Sequence, residues 1–150
     1  MCRLALLNKE GINYIESNYG LTEFFNYLEA SQGGDGNGYC IIYDNGKASI
    51  KKGIALTNEE ITADILKDYQ HIKWVLYHTR LASMGNISNK NCHPFRCGNN
   101  ILMMNGTEGG IRAFIKDNKT DTETILNICI QLGVDIAKAT KNLNSVFVGY

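Results

Sequence analysis

Proline is nearly absent from this chain, with Pro94 alone, and no apolar run is long. A membrane-spanning helix needs about 20 consecutive apolar residues, and no stretch comes near that. Net charge is also missing, because 15 Lys and Arg face 15 Asp and Glu. No basic field exists to hold nucleic acid, and no acidic tail exists either. The five cysteines, Cys2, Cys40, Cys92, Cys97 and Cys129, are odd in number and form no CxxC pair, which argues against a disulfide framework. The opening Met-Cys-Arg-Leu-Ala-Leu-Leu-Asn-Lys-Glu lacks the apolar core of a signal peptide. These absences point to a cytoplasmic protein with reduced thiols. Neither nucleic acid nor membrane is an expected partner. Cys92, His93 and Cys97 form a C-H-x3-C cluster that has no fourth ligand at a usual zinc spacing. No metal and no cofactor are expected.

What is present suffices for one domain over residues 1–150. A chain of this length buries about 68–70% of its unfolded surface, and 44% of its residues are apolar. Cys2 to Leu7 reads as a buried strand. Leu21, Phe24, Phe25 and Leu28 keep helical spacing, which predicts a helix over about 21–31. The glycine-rich stretch at 33–38 breaks regular structure. A hairpin follows, with strands over 39–43 and 47–54 around Asp44-Asn45-Gly46. Thr57 to Glu60 is a capping-box pattern opening a helix to about Tyr69. Lys73 to His78 reads as a strand with Val75 and Tyr77 on one face. Residues 80–99 read as a long polar loop of the kind that often carries function. Asn100 to Met104 reads as a strand, and 105–119 as mixed. Thr120 to Glu123 is a second capping-box pattern, with a stripe of Ile125, Ile128, Cys129, Leu132 and Ile136 behind it. Ser145 to Tyr150 reads as a last strand. The fold class is α+β with a mostly antiparallel or mixed sheet covered by helices.

Four places carry possible chemistry. Removal of Met1 would leave Cys2 with a thiol and a free α-amine, a nucleophile and a base a few bonds apart. Arg80 follows directly on a buried strand, where its fork suits a carboxylate, although a surface salt bridge uses arginine equally well. Asn105-Gly106 after a strand makes either a turn or an oxyanion hole of one side-chain amide and one backbone N–H. Asp121 sits where a helix dipole favours a carboxylate in any case.

Taken in order, the motifs resemble those of the class II glutamine amidotransferases, the glutaminase domains of the N-terminal-nucleophile hydrolases. They are Met1-Cys2, Gly34-Asp35-Gly36-Asn37-Gly38, His78-Thr79-Arg80-Leu81-Ala82-Ser83, Asn91-Cys92-His93-Pro94, Asn105-Gly106-Thr107 and Thr120-Asp121-Thr122-Glu123. The match runs over nearly the whole chain, and its start is most similar to the short stand-alone members. The resemblance implies a four-layer αββα sandwich, abbreviated at the C-terminus. It implies hydrolysis of the glutamine side-chain amide through a Cys2 thioester. Asn105 and the Gly106 N–H would hold the oxyanion. Arg80 would grip the α-carboxylate and Asp121 the α-ammonium, with Ser83, Thr79 and His78 contributing to the substrate side.

The chain departs from the family at Met84 and Leu81, where relatives commonly carry His and Trp. It also ends where relatives continue with further strands, so a partner chain or a homo-oligomer is expected to cover the open edge. Ammonia would pass to a separate partner synthase. Two alternatives stay open: hydrolysis of other γ-glutamyl compounds, and a non-catalytic glutamine-binding or scaffold role. With Met1 retained, the thiol lacks a free α-amine and the protein would be an immature or inactive form.

Overall fold

Strand β1 (Arg3–Asn8) and helices α1 (Lys9–Asn18) and α2 (Leu21–Gln32) open the chain in a computed structural model that describes residues 1–150. Then come β2 (Asn37–Tyr43), β3 (Ala48–Gly53), α3 (Asn58–Lys67) and β4 (Ile72–Thr79). The second half contributes β5 (Phe95–Cys97), β6 (Asn100–Asn105), α4 (Asp121–Leu132), α5 (Ile136–Thr140) and β7 (Val146–Gly149). The fold is α+β with two antiparallel sheets. One has the order β1-β4-β2-β3 and the other β5-β6-β7.

Strand alternation sorts the side chains. Tyr39, Ile41, Val75 and Tyr77 point one way, into a buried cluster with Ile12 of α1, Leu21 and Phe25 of α2 and Ile61 and Ile65 of α3. Cys40, Ile42 and Leu76 point the other way and meet Ile101 and Met103 of β6. The opposite face of that second sheet, with Phe95, Leu102 and Met104, packs on Ile125, Leu126 and Cys129 of α4. Phe25 stacks on Tyr77 with ring centroids 4.2 Å apart. No helix is long and apolar enough to cross a membrane.

Most expected elements stand where the sequence places them, and the exceptions have local causes. Helix α1 was not expected. Asn8 caps it by accepting the Gly11 N–H, and only Ile12 is fully buried, so its apolar stripe is thin. Strand β2 starts at Asn37, inside the glycine-rich stretch. A side chain at Gly38 would run into the His93 carbonyl, so the strand admits only glycine there. The 80–99 region is not one long loop, since it contains a short helical turn at Asn89–Asn91 and strand β5.

The capping box at Thr57 is complete, with Thr57 accepting from Glu60 N and Glu60 accepting from Thr57 N. At Thr120 only the first of these bonds forms. Glu123 pairs instead with Lys119 at 3.2 Å. Helix α4 ends at Gly133 in the left-handed conformation, so the expected stripe stops short. Leu132 is exposed, and Ile136 belongs to α5.

Candidate functional site

Antiparallel pairing of β1 with β4 sets Arg3 against Thr79 and Leu4 against His78. One step further, the same register brings Cys2 beside Arg80 and Leu81. The Cys2 thiol donates to the Leu81 carbonyl at 3.4 Å and receives the Leu81 N–H at 3.3 Å. By strand alternation Cys2 shares a face with Leu4 and His78, the face turned toward the second sheet. Asn105, at the end of β6, shares a face with Ile101 and Met103, which is turned toward the first. The nucleophile and the oxyanion candidate thus stand at strand ends on the two inner faces.

The Cys2 side chain is buried. Burial pushes its thiol above the usual range, and Asp121 adds to the rise. The Leu81 N–H, the terminal ammonium and Arg80 pull it back down. Both Arg80 and Asp121 therefore act on the thiol, with opposite sign.

Arg80 is 2% exposed and forms no salt bridge. Its guanidinium donates to the carbonyls of Met84, Gly85 and Asn86 at 2.8–3.2 Å, three of its five N–H donors. Those oxygens carry no full charge, so a buried cation remains without an anion. The backbone around it is locked. Asp35 N donates to Arg80 O, Arg80 N donates to Gly36 O, and the Ala82 N–H bonds Asp35 Oδ2. Asn91 Nδ2 ties Asn86 to the Asn118 carbonyl. Asp35 and Asn91 are positioning residues that the site list read from sequence left out. Their signal was already visible in the Gly-Asp-Gly and Asn-x-His-Pro motifs.

Asn105 Oδ1 is buried and has no hydrogen-bond partner. A buried amide atom without a partner calls for an explanation, and an incoming ligand supplies one. Gly106 has φ 143°, and a Cβ there would strike Ser145 Oγ. Only glycine fits this turn. Asp121 is buried at the first turn of α4, where Oδ1 accepts the Thr122 N–H and Oδ2 the Glu108 N–H. Ser83 Oγ lies 2.8 Å from Thr107 Oγ1 and bridges the Arg80 loop to the segment after Asn105.

Two expected substrate-side residues, Thr79 and His78, are fully buried, and Thr79 Oγ1 and His78 Nδ1 have no hydrogen-bond partner. Thr79 is fully buried against Gly33 on the helix-covered face of β4. His78 is fully buried between the sheets, with Nε2 3.1 Å from Met104 O. Its ring lies 3.9 Å from that of His93, whose Nε2 is 2.9 Å from Thr122 Oγ1. Burial drives His78 down to about 3 and His93 well below its usual value, so both are neutral.

The Cys92, His93 and Cys97 cluster does not assemble, because Cys92 bonds the Ser88 carbonyl and His93 turns to Thr122. No group of three or more His, Cys, Asp or Glu is gathered that could hold a metal ion. A polar groove of about 630 Å³ shares Asn86, Asn91 and Asn118 with the Arg80 loop and is lined further by Lys90, Arg96 and Asp117. Set against known proteins, the chain matches no family model and no curated sequence.

Proposed function

We propose that the chain is an amidohydrolase of the class II glutamine amidotransferase kind, built as an abbreviated αββα sandwich, with Cys2 as its nucleophile. The observation that carries this reading is one constellation. A thiol at residue 2 stands beside a buried arginine that has no anion, and Asn105, on the facing side of the second sheet, has a buried amide oxygen with no partner. Glutamine presents a carboxylate for Arg80, an amide N–H that can donate to Asn105 Oδ1, and an amide carbon for Cys2 to attack.

The chemistry requires loss of Met1. The Cys2 Sγ then bonds to the side-chain amide carbon while the α-amine takes the thiol proton. Asn105 and the Gly106 N–H receive the oxyanion, where one such donor is worth on the order of 10²–10³ in rate. The C–N bond breaks and ammonia leaves with the proton. Water cleaves the thioester, glutamate departs and the thiol is restored. Ammonia goes to a separate partner synthase, or the enzyme acts on other γ-glutamyl compounds.

The test is intact mass after treatment with a diazo-ketone analogue of glutamine. The expected result is a chain lacking Met1 with one adduct on Cys2, and no adduct on Cys2→Ala. A folded, Met1-free chain that stays unlabelled would sink the proposal. A second reading, a glutamine-binding protein without turnover, is favoured by the thiol's burial and its two bonds to Leu81. In that case calorimetry finds glutamine binding that Cys2→Ala leaves unchanged.

A further inference from the structure

The groove of about 630 Å³ beside the Arg80 loop has the size of a small-molecule site, yet Phe95 and Leu126 are its only apolar residues. A ligand there must be held by charge and hydrogen bonds. Four cations line it, Lys52, Lys90, Arg96 and Lys119, against two acids, Asp117 and Glu123. Glu123 is taken by Lys119 at 3.2 Å, and none of the other four joins a salt bridge. Lys52, Lys90 and Arg96 thus outnumber Asp117 three to one. Lys52 spends its three N–H groups on the carbonyls of Lys90, Cys92 and Pro94, so it lends a fixed charge but no donor. Lys90 and Arg96 are exposed, and the Lys90 ammonium and the Arg96 Nη groups donate to nothing in the chain.

Amides supply much of the remaining lining. The side chains of Asn118 and Asn127 bond nothing in the chain, and Asn86 uses its Oδ1 for Asn91, which leaves its Nδ2 as a donor. Two free cations beside a fixed one favour a dianion, which a phosphate supplies and a single carboxylate does not. We infer that the groove binds a small organic phosphate, with Lys90 and Arg96 on the phosphate and the Asn86, Asn118 and Asn127 amides on its hydroxyl groups. The site is linked to Arg80 through one atom. Arg80 Nη1 and Asn91 Nδ2 each lie 2.9 Å from Asn86 O, so both donate to the same carbonyl. Asn91 Nδ2 also reaches Asn118 O at 2.9 Å. A ligand that spans Asn86 and Asn118 therefore steadies the segment that holds the Arg80 guanidinium. It acts on the Arg80 site as an effector without touching it, and this holds whether or not glutamine is the substrate.

The experiment is calorimetry on the full chain with glycerol 2-phosphate, inorganic phosphate and glycerol, at low ionic strength so that exposed charges are not screened. Glycerol 2-phosphate is expected to bind more tightly than inorganic phosphate, and glycerol not at all. Lys90→Gln combined with Arg96→Gln should weaken it by about 10-fold or more, because charged hydrogen bonds are lost. The thermal midpoint of the free double variant should stay unchanged, since both side chains are exposed. Hydrogen exchange over residues 81–87 then reads the link to Arg80. Bound glycerol 2-phosphate should slow it by about fivefold or more, and the double variant should lose that protection at the same ligand concentration. No binding, or binding that the double variant keeps in full, overturns the site. Equal affinity for inorganic phosphate overturns the role of the amides. Binding that leaves exchange over 81–87 unchanged overturns the link to Arg80.

Discussion

The two sheets of this molecule are packed to different depths. The cluster between the first sheet and its three helices holds eleven buried apolar residues, including the stacked Phe25 and Tyr77. The cluster between the second sheet and α4 holds six, with α5 of five residues beside it and Val146 of β7 exposed. The proposed site draws on both. Cys2 and Arg80 extend strands of the deeper half, whereas Asn105 and Asp121 belong to the shallower one. A nucleophile and a carboxylate anchor need fixed positions, and a paired strand end supplies them. Asn105 and Asp121 stand beside the smaller apolar cluster, where positions rest more on hydrogen bonds such as that from Glu108 N–H to Asp121 Oδ2.

The largest test of this contrast is side-chain deletion in each cluster. Phe25→Ala should cost about 3–5 kcal/mol in urea unfolding. Leu126→Ala should fall in the lower part of the roughly 2–5 kcal/mol range for leucine, because α4 leans on a smaller cluster. A larger loss at Leu126 would reverse the contrast.

Next comes pH, which acts where the two sheets meet. The folded-state values of His78 and His93 lie below those of the unfolded chain, so unfolding takes up protons in acid. Their neutral burial is tolerated in full above about pH 6.5, and stability falls as pH drops from there toward about 3. Each contributes a slope of about 1.4 kcal/mol per pH unit in that window. Unfolding free energies at pH 7, 6 and 5 measure it, and His93→Gln should remove about half of the histidine contribution. An unchanged slope would place the pair outside the linkage.

The smallest effect is at the helix starts. Glu60→Ala breaks the reciprocal bond at Thr57 and should cost about 0.5–1 kcal/mol. Glu123→Ala breaks only a partly exposed pair with Lys119 and should cost at most about 0.5 kcal/mol. Thermal melts of the two variants separate a completed cap from an incomplete one, and equal shifts would erase the distinction.

Legibility followed the same division. The β2–β3 hairpin and the α3 cap were readable because their signals are local: Asp44-Asn45-Gly46 in one case, Thr57 and Glu60 in the other. Helix α1 was not, because its buried face is little more than Ile12. Strand β5 was hidden in a polar segment, since its three residues gain strand form only by pairing with β6. Among the site candidates, Cys2, Arg80, Asn105, Gly106 and Asp121 were visible as residue types at strand and helix ends. Nothing in their spacing marked His78 and Thr79 as fully buried. Their neighbours, His93 and Gly33, are distant in sequence.

By itself the sequence determined the α+β class and the places where strands and helices begin, because periodicity and capping act over a few residues; the need for glycine at position 106 rests on Ser145, far along the chain. Only the tertiary structure decided which charges lack a partner. Arg80 reads as an ordinary salt-bridging residue until burial removes its water. Desolvation turns a missing partner into an energetic demand, and desolvation is a property of the assembled layers rather than of any local stretch of chain.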